Sequence, residues 1–160
     1  MSYRKKSWRE KYADEKGYPK VVALGSALRK KWGGGTCVIA TPRLVDAWMK
    51  KVPKGRVTTI NEIRAALAED HGADIACPIT TGIFAAIAAH VAQENRAAGK
   101  KIVTPYWRTL RAGGAVNPKY PGGIEAQKKL LEAEGLKVLV KGQKAKVIDF
   151  KARLYSFGSE

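Results

Sequence analysis

The stretch TPRLVDAWMKKVPKGRVTTINEI, residues 41–63, decides how this chain folds. Thr41 is a good helix N-cap, and Pro42 suits the first helical position, where its missing N–H would have no partner anyway. Leu44, Val45, Trp48, Met49 and Val52 recur at helical spacing, which predicts an amphipathic helix over about 42–52, ended by Pro53-Lys54-Gly55. Arg56-Val57-Thr58 is short and extended. Thr59 and Glu62 then form a capping box, opening a second helix over about 60–69 that buries Ile63, Ala66 and Leu67. The turn His71-Gly72-Ala73-Asp74 leads to a third helix, opened by Cys77-Pro78 or by Thr80 and running through Ile83, Phe84, Ile87 and Val91 to about Ala98. Two helices joined by a tight glycine-containing turn make a helix-turn-helix the expected centre of the fold.

Outward from this centre the signals are weaker. Thr81, Gly82, Ala85, Ala86 and Ala89 leave one face of the third helix almost without side-chain bulk. Two readings fit: tight helix-on-helix packing, or a helix that presses its backbone and amide-rich N-terminus onto a nucleic-acid backbone. Downstream, Ile102-Val103 is extended and leads into Thr104-Pro105-Tyr106-Trp107-Arg108, and a glycine- and proline-rich loop follows over 111–123. Ile124 to Glu134 reads as a helix with Gly135 at its C-terminal cap, and 136–140 and 146–150 read as a lysine-studded hairpin turning at Gly142-Gln143. Upstream, Gly33-Gly34-Gly35 marks a boundary, and the basic, aromatic stretch 1–20, with Tyr3, Trp8 and Tyr12, suits a short helix packed by its aromatics or an arm lying on phosphates, and is read as a partly ordered arm. The expected fold class is α+β, mainly helical: a winged helix-turn-helix domain over 41–135, a basic N-terminal extension over 1–40, and a C-terminal hairpin and tail over 136–160.

Composition narrows the function. With 160 residues and 45% apolar content the chain makes one globular domain. No apolar run reaches the roughly 18 residues of a membrane span, and the first twenty residues lack the apolar core of a secretion signal. The protein is expected in the cytoplasm, on the nucleoid, with Cys37 and Cys77 as free thiols. Thirty Lys and Arg against fourteen Asp and Glu leave +16, a field that favours polyanions. Residues 1–34 hold ten basic and three acidic side chains, 35–94 hold six of each, and 95–160 hold fourteen and five. The excess therefore sits at the two ends.

Catalytic constellations are scarce. His71 and His90 have no metal-binding spacing and no nucleophile elbow or carboxylate cluster beside them; His71 suits a turn and His90 a solvated helix face. No cofactor and no metal are expected.

The ordered set of segments resembles a known family. Thr41-Pro42 to Trp48, Val52-Pro53-Lys54-Gly55-Arg56-Val57-Thr58-Thr59, Asn61-Glu62-Ile63, Gly82, Pro105-x-x-Arg108, Gly122-Gly123-Ile124 and Leu130-Leu131 to Gly135 together resemble the DNA-binding domain of the O6-alkylguanine-DNA alkyltransferases, over about residues 41–135. The resemblance implies a second helix that enters the minor groove, where small side chains are useful. It also implies DNA contacts at Thr58, Thr59, Ile60, Asn61, Ile79, Thr80, Thr81, Gly82, Ala85, Ala86 and Lys119, and a base pocket around Thr104, Pro105, Tyr106, Trp107, Arg108 and Glu134.

The departures from the family matter as much. Its Pro-Cys-His-Arg signature, whose cysteine takes the alkyl group, reads Pro105-Tyr106-Trp107-Arg108 here. A phenol ionises near pH 10 and a thiol near 8.5, and an indole nitrogen only donates, so both nucleophile and base are lost. The carboxylate that orients the family's histidine is matched by Glu134, while Ile60 stands where the family has its nucleotide-rotating tyrosine and Ile79 where it inserts an arginine. The chain is similar to the cysteine-less, alkyltransferase-like branch. That likeness implies a non-enzymatic, monomeric protein on double-stranded DNA, sensing alkylated guanine and handing it to other repair proteins. Two alternatives remain: an RNA or ribonucleoprotein binder using the lysine-rich, aromatic termini, and an alkyltransferase that uses Cys77 at the mouth of the third helix.

Overall fold

The three predicted caps form and set the architecture. The structure is a computed structural model describing residues 4–157; Tyr3 lies outside the described residues. In chain order the elements are α1 (Trp8–Ala13), β1 (Lys20–Ala23), α2 (Ser26–Trp32), β2 (Thr36–Ile39), α3 (Pro42–Met49), β3 (Thr58–Thr59), α4 (Ile60–Asp70), β4 (Ile75–Ala76), α5 (Pro78–Ala97), β5 (Thr109–Leu110), α6 (Gly123–Glu132), β6 (Val138–Lys141) and β7 (Lys144–Val147). Thr41 Oγ1 accepts from the Leu44 amide at 3.2 Å and starts α3. The Glu62 carboxylate accepts the Thr59 amide at 3.1 Å and starts α4. Cys77 caps α5, its sulfur accepting from the Thr80 amide at 3.4 Å, with Pro78 in the first turn. The fold is α+β and mainly helical, with α4 and α5 as its helix-turn-helix. No helix among the described residues is long and apolar enough to cross a membrane.

Most small residues of α5 face inward. Thr81, Ala85, Ala88, Ala89 and Ala92 are all buried, and the alanines pack with Val45 and Met49 of α3 and Ile63 and Leu67 of α4 in the main core. Their spacing is that of one helical stripe, and α3 already brings the bulk that fills the space between the helices. Ile83, expected within the apolar stripe, is instead 53% exposed, and Ile79 is 61% exposed. A second core joins Val57, Leu110, Val116, Leu131, Leu136, Ala145 and Val147 beneath the β6–β7 hairpin. That hairpin is shorter than its predicted strands because the turn at Gly142, with φ +58°, fixes the pairing of Lys141 with Lys144. Ile102 and Val103 form no strand.

The N-terminal region also differs from expectation. Residues 8–13 are a docked helix instead of an arm lying free for phosphates. Trp8 stacks on His90 with ring centroids 4.0 Å apart, Arg9 donates to Asn95 at 2.7 Å, and the Tyr12 hydroxyl donates to Asp46 at 2.6 Å. Further on, β2 pairs antiparallel with β1 and parallel with β4, which places Val38 and Ala40 in the main core. Trp8 and Tyr12 find partners on α5 and α3, and the partial burial of their rings offsets the ordering of the helix.

Asp46 is the hub of this docking. Buried on α3, it accepts from Tyr12, from the Thr104 hydroxyl at 2.6 Å and from Lys50 at 3.4 Å. Replacing Tyr12 by Phe keeps the ring but leaves a buried carboxylate short of one donor. A loss of about 1–3 kcal/mol in unfolding free energy is expected in urea titrations; unchanged stability would mean that α1 does not dock.

Candidate nucleic-acid interface

The residues expected to touch DNA divide by accessibility. Ile79, Gly82, Ile83 and Ala86 recur at three- and four-residue spacing on the outer face of α5: Ile79 and Ile83 are exposed, Gly82 and Ala86 half-buried between them. Thr80 is half-buried beside them. At the start of α4, Ile60 is half-buried and Asn61 exposed, and Asn61 accepts from Arg64 at 3.3 Å. Thr58, Thr59, Thr81 and Ala85, however, are interior. Thr58 pairs with Thr109 between the parallel strands β3 and β5, Thr59 serves the α4 cap, Thr81 bonds back to the Cys77 carbonyl at 2.6 Å, and Ala85 belongs to the core. These four support the presenting surface from beneath.

The expected base pocket is likewise divided. Thr104 and Pro105 line a cleft of about 550 Å³ between α1, α3 and α5, with Arg9, Arg43 and Lys50 at its rim. Tyr106 lines a different cleft, of about 290 Å³, between α5 and α6. Gln93 and Arg96 come to this second cleft from α5, Pro121 and Gly122 from the loop, and Ala126, Lys129 and Leu130 from α6. It adjoins Tyr106, where the acceptor position is expected, and it is the candidate pocket. Tyr106 itself is 1% exposed, edge-on to both Trp107 and Tyr120 at 5.3 and 5.6 Å. Burial pushes its phenol up, against the opposing pull of Arg96.

Trp107, Arg108 and Glu134 form a clamp. Trp107 Nε1 donates to Glu134 Oε2 at 2.9 Å, and Arg108 donates to the same carboxylate through Nε at 2.9 Å and Nη2 at 2.7 Å. The Gly55 amide adds a fourth donor at 3.2 Å, and Arg108 Nη1 reaches the Val52 carbonyl at 2.8 Å. Burial would raise the carboxyl of Glu134, but the hydrogen bonds from Arg108, Trp107 and Gly55 outweigh it and hold the group below its ordinary value. Behind Trp107, the fully buried Gln127 donates to its carbonyl at 3.0 Å and accepts the Asn117 amide at 2.9 Å. Asn117 in turn holds the amide of Lys119, whose carbonyl meets His90 Nε2 at 3.0 Å. His90 is thus built into a contact between α1, α5 and the loop, which a solvated position would not allow. A carbonyl only accepts, so Nε2 carries the proton. His71 does end α4, its Nδ1 2.9 Å from the Leu67 carbonyl.

The model of the 6-O-methylguanine DNA methyltransferase DNA-binding domain matches residues 41–136, more than half of the chain. The chain belongs to this family. Two solved structures share the fold of this member of the 6-O-methylguanine DNA methyltransferase family. One is S. pombe Atl1 in complex with damaged DNA containing O6-carboxymethylguanine, 16% identical, covering 72% of this chain and 94% of that one, with a TM-score of 0.52. The other is S. pombe ATL in complex with DNA, 17% identical over the same shares, with a TM-score of 0.53. No curated protein matches the chain.

Both cysteines are buried and lie in one small cluster with Leu24. Burial raises the Cys37 thiol. For Cys77 burial acts in the same sense but is outweighed by hydrogen bonds from Thr80 and the helix amides, so its thiol is lowered. Among the described residues no group of His, Cys, Asp and Glu is arranged to hold a metal ion. Gln93, Arg96, Tyr120, Gln127 and Lys129 had no sequence signal, because they converge from α5, the loop and α6.

Replacing Glu134 by Gln removes the charge that Arg108 faces, and a loss of about 3–5 kcal/mol is expected from urea unfolding at neutral pH. The pH dependence carries a sign. The folded value of Glu134 lies below its ordinary 4.5, so its contribution is complete above that pH and fades as pH falls through the folded value. The wild type should therefore lose more stability than Glu134→Gln in acid; parallel curves would refute the clamp.

Proposed function

We propose that this protein is a non-enzymatic, alkyltransferase-like DNA-binding protein that senses alkylated guanine. The observation that carries the reading is Tyr106. It stands at the family's acceptor position, is buried, and has its phenol pushed up, away from the ionised form that attacks carbon. Beside it Trp107 offers only an N–H, already given to Glu134, so no base is placed to take a proton. What remains of the site can bind. Ile79 and Ile83, with Gly82 and Ala86 leaving room between them, present an apolar ridge that suits insertion into the minor groove. Ile60 and Asn61 stand at the start of the neighbouring helix, and Lys119, exposed on the loop, would meet phosphates. An extruded base would enter the cleft between α5 and α6 and meet the edge of Tyr106, Gln93 and Arg96. On this reading the protein acts as a monomer on the nucleoid, in the cytoplasm, and marks the lesion for other repair proteins.

Cys77 is the competing nucleophile, since its thiol is lowered at the N-terminus of α5. Its side chain is buried against Leu24 and Cys37, which removes it from the cleft beside Tyr106.

A binding titration with duplexes that contain or lack O6-methylguanine, at two salt concentrations, tests the reading. The expected outcome is steep loss of affinity with salt, a preference for the lesion that Tyr106→Ala abolishes, and an intact-protein mass that stays unchanged. Equal binding to both duplexes would leave a general DNA binder, stronger competition by structured RNA would move the partner to RNA, and a methyl adduct on Cys77 would restore an enzyme.

A further inference from the structure

We infer that the outer face of the β6–β7 hairpin is a second phosphate-binding surface, a rigid wing beyond the helix-turn-helix. The inference rests on the DNA-binding reading above, and it concerns a segment that begins where the family match ends.

The ladder register fixes which side chains share a face. Lys141 lies opposite Lys144 and Leu139 opposite Lys146, while Ala145 and Val147 point down into the second core. Directly opposed residues of an antiparallel pair share a face, and alternate residues along a strand do too. The outward face is therefore Lys137, Leu139 and Lys141 on one side and Lys144, Lys146 and Ile148 on the other. All six are exposed. Between residues 135 and 157 the only acidic side chain is Asp149, and among the described residues none of the four lysines enters an ion pair.

Like charges directly opposite each other destabilise a ladder, and the pairing of Lys141 with Lys144 is such a contact without an anion to relieve it. Elsewhere several surface cations do have carboxylate partners. Arg4 pairs with Glu10, Lys6 with Asp14, Arg9 with Glu94 and Arg43 with Glu15. Among the described residues the lysine face of the hairpin has no such carboxylate partner, and a polyanion is the partner that would relieve it.

Position supports the same partner. The Val116 amide donates to the Ala145 carbonyl at 2.9 Å and Ala115 bridges Lys146, so the hairpin is an extension of the loop that carries Lys119. Ala145 and Val147 also share a core with Val57, two residues before the cap of α4. The lysine face is thus held in one rigid block with both segments expected on DNA, and its exposed apolar residues sit among cations, as suits contact with a sugar-phosphate surface.

The test measures duplex affinity of the full-length protein across a salt series. Neutralising Lys141, Lys144 and Lys146 together, each to Gln, should flatten the slope of log affinity against log salt by roughly two to three, because each phosphate contact contributes about 0.9. A control with Lys16, Lys30 and Lys31 changed to Gln, exposed and remote in sequence, removes the same charge and should leave the slope nearly unchanged. The single change Lys144→Glu should lower affinity while holding or raising thermal stability, since it turns the opposed pair into an attractive one. If the wild type binds with a steep salt dependence but the triple variant keeps that slope, or the control loses as much, the wing is overturned and the DNA-binding reading stands. If the wild type itself fails to bind duplex, that reading falls first.

Discussion

The carboxylate of Glu134 is the constraint on which the site depends. Four donors converge on it from two distant parts of the chain, Gly55 before β3 and Trp107 and Arg108 after α5, while Glu134 itself lies just beyond α6. A buried charge satisfied in this way tolerates little displacement, since losing any partner exposes the desolvation penalty of the rest. The clamp therefore sets where Trp107 lies, and through Gln127 and Asn117 it sets where the loop bearing Lys119 runs. On the proposed reading the matching carboxylate of an alkyltransferase would orient a base; here Glu134 holds an indole N–H and a guanidinium, and its work is structural.

Helix α5 divides its labour between two faces. Alanines and Thr81 let it lie close against α3 and α4, and Ile79 and Ile83, which would ordinarily join a core, are left facing outward. Two exposed isoleucines a turn apart are unfavourable in water, which is a reason to look for a partner that covers them. The 20-residue length of the helix has its own consequence. Its N-terminal half carries the outward ridge, while its C-terminal half supplies Gln93 and Arg96 to the cleft beside Tyr106 and Asn95 to the docking of α1. Groove, pocket and N-terminal helix are thereby referred to one rigid rod.

Local signals made the centre legible in the sequence. Thr41-Pro42, the Thr59 and Glu62 box, and Cys77-Pro78 each declare a helix start within four residues, and all three helices begin where those caps lie. What failed was orientation. Ile83 belongs to an apolar series with Phe84, Ile87 and Val91, and nothing in that series says that alanines will be the buried side; the answer comes from Val45 and Met49 on another helix. The docking of α1 was illegible for the same reason, since Tyr12 meets Asp46 across 34 residues of chain. Of the pocket walls only Tyr106 was expected: Gly122 and Leu130 lie in matched segments that gave them no role, and Gln93, Arg96, Ala126 and Lys129 reach the cleft by convergence of α5 and α6.

Tyr106 has a numerical consequence for the cell. A cysteine acceptor is consumed by each lesion, so the supply of such a protein must match the number of lesions it meets. On the proposed reading, a phenol that is buried and stays protonated forms no bond, and the molecule leaves its site unchanged. On the proposed reading, capacity is then governed by how long each complex lasts and not by how many copies are made, and the quantity open to selection is a dissociation rate.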